Sequence, residues 1–148
     1  MEKQSGTLIL DGVTFELDDC ENTKLYVFES DEYDGTITIS FDLYFKQAIF
    51  NGEKVSPYIC INQHETYKSG INETVGCIYS VDSVEKSDER EDTLYIYEHE
   101  PFKKYSFTIL EISEKTAHIH IEGIAIIDGY SVPAKTADFS GDFILRYE

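Results

Sequence analysis

Four dipeptides constrain this chain more than anything else in it: Asp11-Gly12, Asp34-Gly35, Asn51-Gly52 and Asp128-Gly129, each flanked by candidate strand sequence. A two-residue type I′ turn needs positive φ at both central positions. Glycine adopts it at no steric cost, and Asp or Asn tolerates it. Thr7-Leu8-Ile9-Leu10, then Asp11-Gly12, then Val13-Thr14-Phe15-Glu16-Leu17 reads as a hairpin. Recurrence of such turns over a short chain is incompatible with a helical fold.

Alternation carries the strands. From Gly35 to Phe45 the residues Ile37, Ile39, Phe41, Leu43 and Phe45 fall on one face, with Thr36, Thr38, Ser40, Asp42 and Tyr44 on the other. Period two places the first set in a core. Further strands are expected at Leu25–Glu29, Pro57–Asn62, Val75–Val81, Thr93–Tyr97, Tyr105–Glu111, Ala117–Ile127 and Asp138–Tyr147. Val84–Asp92 holds a run of charges and reads as an exposed loop. Pro57, Pro101 and Pro133 each fall near an expected strand end, where a missing amide donor does least harm. The fold class that follows is all-β, with little helix. It is a single antiparallel β-sandwich or partly closed β-barrel of about ten short strands joined by hairpins. With no repeat, low-complexity tract or linker, residues 1–148 are expected to form one domain.

Composition agrees, with 11 Tyr and 9 Phe but no Trp, since aromatic and β-branched side chains suit a pleated surface. Cys20, Cys60 and Cys77 form no C-x-x-C pair, and the expectation is reduced, mostly buried thiols. Cys60 is expected in the core beside Tyr58 and Ile61. The start of the chain has neither a basic nor an apolar region of signal-peptide type, and no apolar stretch is long enough to span a bilayer. A cytoplasmic location is the expectation.

Charge decides which partners the surface favours. The formal net charge is −17, from 29 acidic and 12 basic side chains, and residues 101–148 hold only 7 acids against 5 bases. Such a surface repels nucleic acid phosphates and anionic lipid headgroups, and it attracts basic proteins. Two acidic clusters contain tyrosines. The first comprises Glu16, Asp18, Asp19, Glu21, Glu29, Asp31, Glu32 and Asp34, with Tyr26 and Tyr33. The second comprises Asp82, Glu85, Asp88, Glu89, Glu91, Asp92, Glu98 and Glu100, with Tyr95 and Tyr97. Carboxylates match arginine and lysine of a partner, and tyrosine brings amphipathic contact area at small entropic cost. Of these, Asp18, Asp19, Glu21, Tyr26, Glu29, Asp31, Glu32, Tyr33, Asp34, Asp88, Glu89, Glu91, Asp92, Tyr95 and Tyr97 form the candidate partner-binding set.

Catalytic signals are poor. There is no G-x-S-x-G, no glycine-rich phosphate loop and no H-E-x-x-H, and no cofactor is expected. His118, His120 and Glu122 share one face of a strand, a weak metal candidate that needs a further ligand such as His64 or Glu65. The same pattern arises on the wet face of any amphipathic strand. Cys60 and His64 lie four apart, roughly 13 Å along a strand, too far for a nucleophile–base contact without a turn. Ser30 to Phe41 fails as a calcium loop, because its first position is Ser and its twelfth Phe.

The expected function is therefore an acidic protein-binding module of immunity or antitoxin character, neutralising a basic partner such as a nuclease toxin. Two other readings fit the same sequence. One is a β-barrel that holds a small ligand or acts as an enzyme. The other is an accessory subunit joined to an assembly through a strand edge.

Overall fold

The computed structural model describes residues 3–30, 36–67 and 70–147. Among them the elements are β1 (Ser5–Leu10), β2 (Val13–Glu16), β3 (Lys24–Ser30), β4 (Thr36–Tyr44), β5 (Ala48–Phe50), β6 (Glu53–Val55) and β7 (Tyr58–Tyr67). There follow a 3-10 turn (Ile71–Thr74), β8 (Ile78–Val81), α1 (Val84–Arg90), β9 (Thr93–Tyr95), β10 (His99–Ile112), β11 (Thr116–Asp128) and β12 (Lys135–Arg146). Nine strands pair in the order β2-β1-β12-β11-β10-β9-β7-β4-β3, all antiparallel, and the sheet curls into a half-barrel. β5 and β6 form a separate hairpin. No helix among the described residues is long and apolar enough to cross a membrane.

The alternation is obeyed. Along β4 the burial swings at every residue, with Ile37, Ile39, Phe41 and Leu43 buried, and Phe45 buried beyond its end. Ile119 and Ile121 do the same on β11. The inner faces are filled by side chains: Phe41 meets Phe107 edge-on at 5.0 Å, and Phe45 meets Phe143 at 5.6 Å. Each such ring removed from water contributes on the order of 1.5–3 kcal/mol.

Two of the turn signals behave as expected. Asp11 and Gly12 have φ of 49° and 77°, and Asn51 and Gly52 have 50° and 81°, the left-handed pair a type I′ turn requires. Asp34-Gly35 lies outside the described residues. Asp128-Gly129 is a correction: β11 ends at Asp128 but β12 resumes only at Lys135. The Asp128 carboxylate accepts from Tyr130 N at 3.0 Å and Ser131 Oγ at 2.8 Å, so the side chain caps a longer loop over 129–134 instead of a tight reversal.

The charged run after β8 is also a correction, being a helix. Ser83 caps α1 by accepting from Lys86 N at 3.2 Å, and Glu91 ends it in the left-handed conformation, φ 61°. Ser87 is its one buried residue, so no apolar stripe announces the helix in the sequence.

The helix sits where the sheet forks. One edge of β10 pairs with β9 at His99–Pro101 and with β8 at Tyr105–Thr108. Backbone groups near the fork lose ladder partners, and side chains replace them. Asp92 Oδ1 accepts from Asn62 N at 2.7 Å, while the Asn62 amide donates to the carbonyls of Arg90 and Glu91 at 2.9 and 2.8 Å. The Ser87 hydroxyl accepts from Phe102 N at 2.9 Å and donates to the Asp92 carbonyl at 2.8 Å.

Candidate functional site

Three connections meet at one end of the sheet: the β5–β6 hairpin, the β9–β10 turn and the β11–β12 loop. Between them opens a cleft of about 460 Å³. Its carboxylates are Glu53, Glu98, Glu100 and Asp128, its aromatic walls are Tyr97 and Tyr130, and Lys135 is its basic residue. Each group is positioned by local structure. The Asn51-Gly52 turn puts Glu53 at the start of β6. The Asp128 cap holds Tyr130, whose hydroxyl donates to Glu98 Oε1 at 3.1 Å. Gly129 passes so close to Glu100 that a Cβ there would lie 2.1 Å from its carboxylate oxygen.

The carboxylates affect one another. Glu100 is half-buried, and its carboxyl is raised above the ordinary range, first by burial and then by the charges of Glu98 and Asp128. Asp128 is held below that range by hydrogen bonds from Ser131 and Tyr130. Tyr97 is raised by burial and by the Glu53 charge, and Tyr130 by its bond to Glu98. A cation placed among them would relieve the repulsion at Glu100, so the cleft is electrostatically suited to an ammonium or guanidinium group. The loop beside it exposes Tyr130 by 79% and Val132 by 99%, apolar surface next to the charge.

A transverse aromatic row crosses the outer face of the sheet and ends near the same turn. Tyr44, Tyr58, Tyr95 and His99 are direct cross-strand neighbours on β4, β7, β9 and β10. Tyr44 stacks on Tyr58 at 4.3 Å, and Tyr95 lies 4.8 Å from His99. The Tyr58 hydroxyl donates to Asp42 Oδ1 at 2.9 Å.

No protein family, characterised protein or solved structure matches this chain.

The candidate residues read from the sequence separate into several places. Tyr97, Glu98 and Glu100 of the second cluster line the cleft, and Tyr95 stands in the aromatic row. Asp88, Glu89 and Glu91 are exposed on α1 and its C-terminal cap, outside the cleft lining. Asp92 is a correction: it has no exposed surface and cannot touch a partner. Arg90 Nε and the Tyr105 hydroxyl donate to its Oδ2 at 2.7 and 2.5 Å.

In the first cluster, Asp18, Asp19 and Glu21 lie in the β2–β3 connection and Tyr26 on the outer face of β3. Burial alone would raise the Asp19 carboxyl. Hydrogen bonds from Gln4 at 3.2 Å and Arg146 at 3.1 Å hold it below its ordinary value, so Asp19 ties the two ends of the fold together. Glu29 accepts from Ile71 N at 3.3 Å. Asp31, Glu32, Tyr33 and Asp34 lie outside the described residues.

His118, His120 and Glu122 do share a face, but the residue that joins the histidines is Asp142 on β12. Its Oδ1 lies 3.0 Å from His118 Nε2 and 3.2 Å from His120 Nδ1, while His120 Nε2 faces Glu122 at 3.2 Å. Among the described residues no group of His, Cys, Asp or Glu has metal-holding geometry. His64 is elsewhere, half-buried against the Tyr105 hydroxyl at 2.7 Å. Cys60 is a further correction. It is half-buried on the face opposite Ile59 and Ile61, and burial pushes its thiol up to about 11, an unreactive value at neutral pH.

Glu53, Glu98, Glu100, Asp128 and Tyr130 are outside the candidate set, although Glu98 and Glu100 belong to the second acidic cluster. The one local signal at that loop, Asp128-Gly129, pointed to a turn and not to a site.

Proposed function

We propose that the protein is an acidic binding module that captures a basic protein partner, with the cleft between the β5–β6, β9–β10 and β11–β12 connections as its recognition point. The observation that carries this reading is the convergence of Glu53, Glu98, Glu100 and Asp128 with Tyr97 and Tyr130 around one concavity. Carboxylates receive arginine or lysine heads, and tyrosine faces receive their aliphatic stems or stack on guanidinium planes. The exposed Tyr130 and Val132 beside the charge suit a macromolecular surface better than a free cation, because a small cation has nothing to lay on them. A nuclease must hold phosphate with Lys and Arg. A module that occupies those side chains inhibits it by charge mimicry, so an immunity-type inhibitor of a cationic toxin is the specific form of the proposal. The net charge of −17 adds long-range steering that speeds such an encounter at low salt.

The test compares the wild-type protein with the double variant Glu98→Lys/Glu100→Lys and with Glu114→Lys, a control on an exposed turn. Each is immobilised and offered a lysate of its source cell at low and high salt. The reading expects one basic protein, held in stoichiometric amount by the wild type and by the control, released by salt and lost from the double variant. Equal recovery on all three baits, or no basic protein on folded wild type at low salt, would sink it.

A further inference from the structure

The two terminal strands of the sheet are finished differently. β2 has four residues, and its outer side is met by the chain that follows β4. Lys46 N donates to the Glu16 carbonyl at 2.9 Å, and Leu17 bridges to Phe45. β3 has seven residues and pairs in unbroken register with β4. Its far side meets the chain at Leu25, which bridges in parallel to Tyr147.

Proteins blunt exposed edges with short strands, prolines, bulges or lysines along the rim. From Leu25 to Phe28 β3 carries none of these, and at Glu29 a charged side chain on the inward-facing side accepts from Ile71 N at 3.3 Å. Its one lysine, Lys24, is at the pinned end, with its ammonium 5.6 Å from the centre of the Tyr26 ring. The strand instead exposes Phe28 by 65% and Tyr26 by 41% on the outer face. Their cross-strand neighbours are Thr38 and Ser40, and Glu65 lies beyond Thr38 on β7. Among the described residues no strand pairs with the far side of β3 over Tyr26–Phe28, and an edge of that kind with an aromatic pair beside it is a template for another strand.

We infer that β3 is a docking edge that receives an extended cationic segment of another protein as an added strand. Backbone amides supply the pairing, and alternate side chains of the incoming segment lie over Tyr26 and Phe28. Lys24 over Tyr26 already shows the contact that a partner's cation would make at Phe28. Charge selects the occupant. Glu29 and Glu65 are exposed near the edge, and two copies at −17 repel one another, so the segment is basic and not a second copy of this chain. The inference does not rest on the cleft, since none of the cleft's lining residues belongs to β3 or β4.

The experiment uses the intact protein and a short synthetic peptide in which valine alternates with arginine, read by amide chemical shifts and hydrogen exchange. Shifts and protection are expected along β3. Phe28→Lys, a surface change whose fold is checked by circular dichroism, should weaken binding roughly thirtyfold, the size of one interface hot spot. Peptides N-methylated on one set of alternate amides should fail to bind, and those methylated on the other set should bind. Glu98→Lys/Glu100→Lys should still bind the peptide at β3, which separates this inference from the cleft reading. Tolerance of both methylation patterns, shifts confined to the cleft, or a dimer paired through β3 in the peptide-free protein would each overturn it.

Discussion

Asp92 is a charged side chain with no contact with water, and both its oxygens are used. Oδ1 takes the Asn62 amide, and Oδ2 takes Arg90 Nε and the Tyr105 hydroxyl. Tyr105 spends its only proton on Asp92, so its oxygen accepts from His64 Nε2 and selects that tautomer. Replacing Asp92 with Ala strips three donors at once and leaves the guanidinium without its carboxylate. A loss of about 3–5 kcal/mol is expected in urea unfolding, the usual size for removing one partner of a buried pair. His64 gives the same network a pH dependence. Burial first, and then the nearby Arg90 charge, lower its pKa to about 4 from an ordinary 6.5. As pH falls the unfolded chain takes up this proton before the folded one does. Stability from neutral His64 is therefore complete above about pH 6.5 and lost on the way to pH 4. His64→Gln should flatten the stability–pH curve in that window relative to wild type. An unchanged slope would contradict the assignment.

At the scale of elements, the long strands show how the chain bends into a half-barrel. Register slips between Phe102 and Lys104 where β10 pairs with β11, and Gly123 pairs with Tyr105 just beyond the slip. A Cβ at Gly123 would fall 2.2 Å from the Lys104 carbonyl oxygen, a backbone atom that cannot step aside. Gly123→Ala should cost about 1–3 kcal/mol as overpacking does, seen as a lower Tm, while Gly52→Ala, with open space around it, costs only its backbone strain. The strands themselves were legible, because alternation at Ile37, Ile39, Phe41 and Leu43 is a local property of the chain. α1 was not, since its buried residue is Ser87 and its charges, Arg90 apart, face water. The β11–β12 loop was misread because Asp128-Gly129 matches a tight turn. The Asp128 carboxylate bonds forward to Tyr130 and Ser131 instead.

At the scale of the molecule, the acidic excess and the aromatic content were plain in the composition, but their placement was not. Acidic runs that are continuous in the sequence scatter: Asp92 goes to the interior, Asp19 to a tie with Arg146, and Asp88 and Glu89 to the back of a helix. The cleft draws one carboxylate from β6, two from the β9–β10 region and one from the end of β11. The sequence by itself determined most of the strands, the buried faces of β4 and β11 and two of the reversals, because side-chain alternation and positive-φ turns depend only on near neighbours. Only the tertiary structure decided which acids share a cleft, that Asp92 is buried, and which strands end the sheet. Those outcomes follow from the order in which strands pair and from the fork that seats α1. Strand order depends on how distant hydrophobic faces fit together, and no local pattern of residues records it.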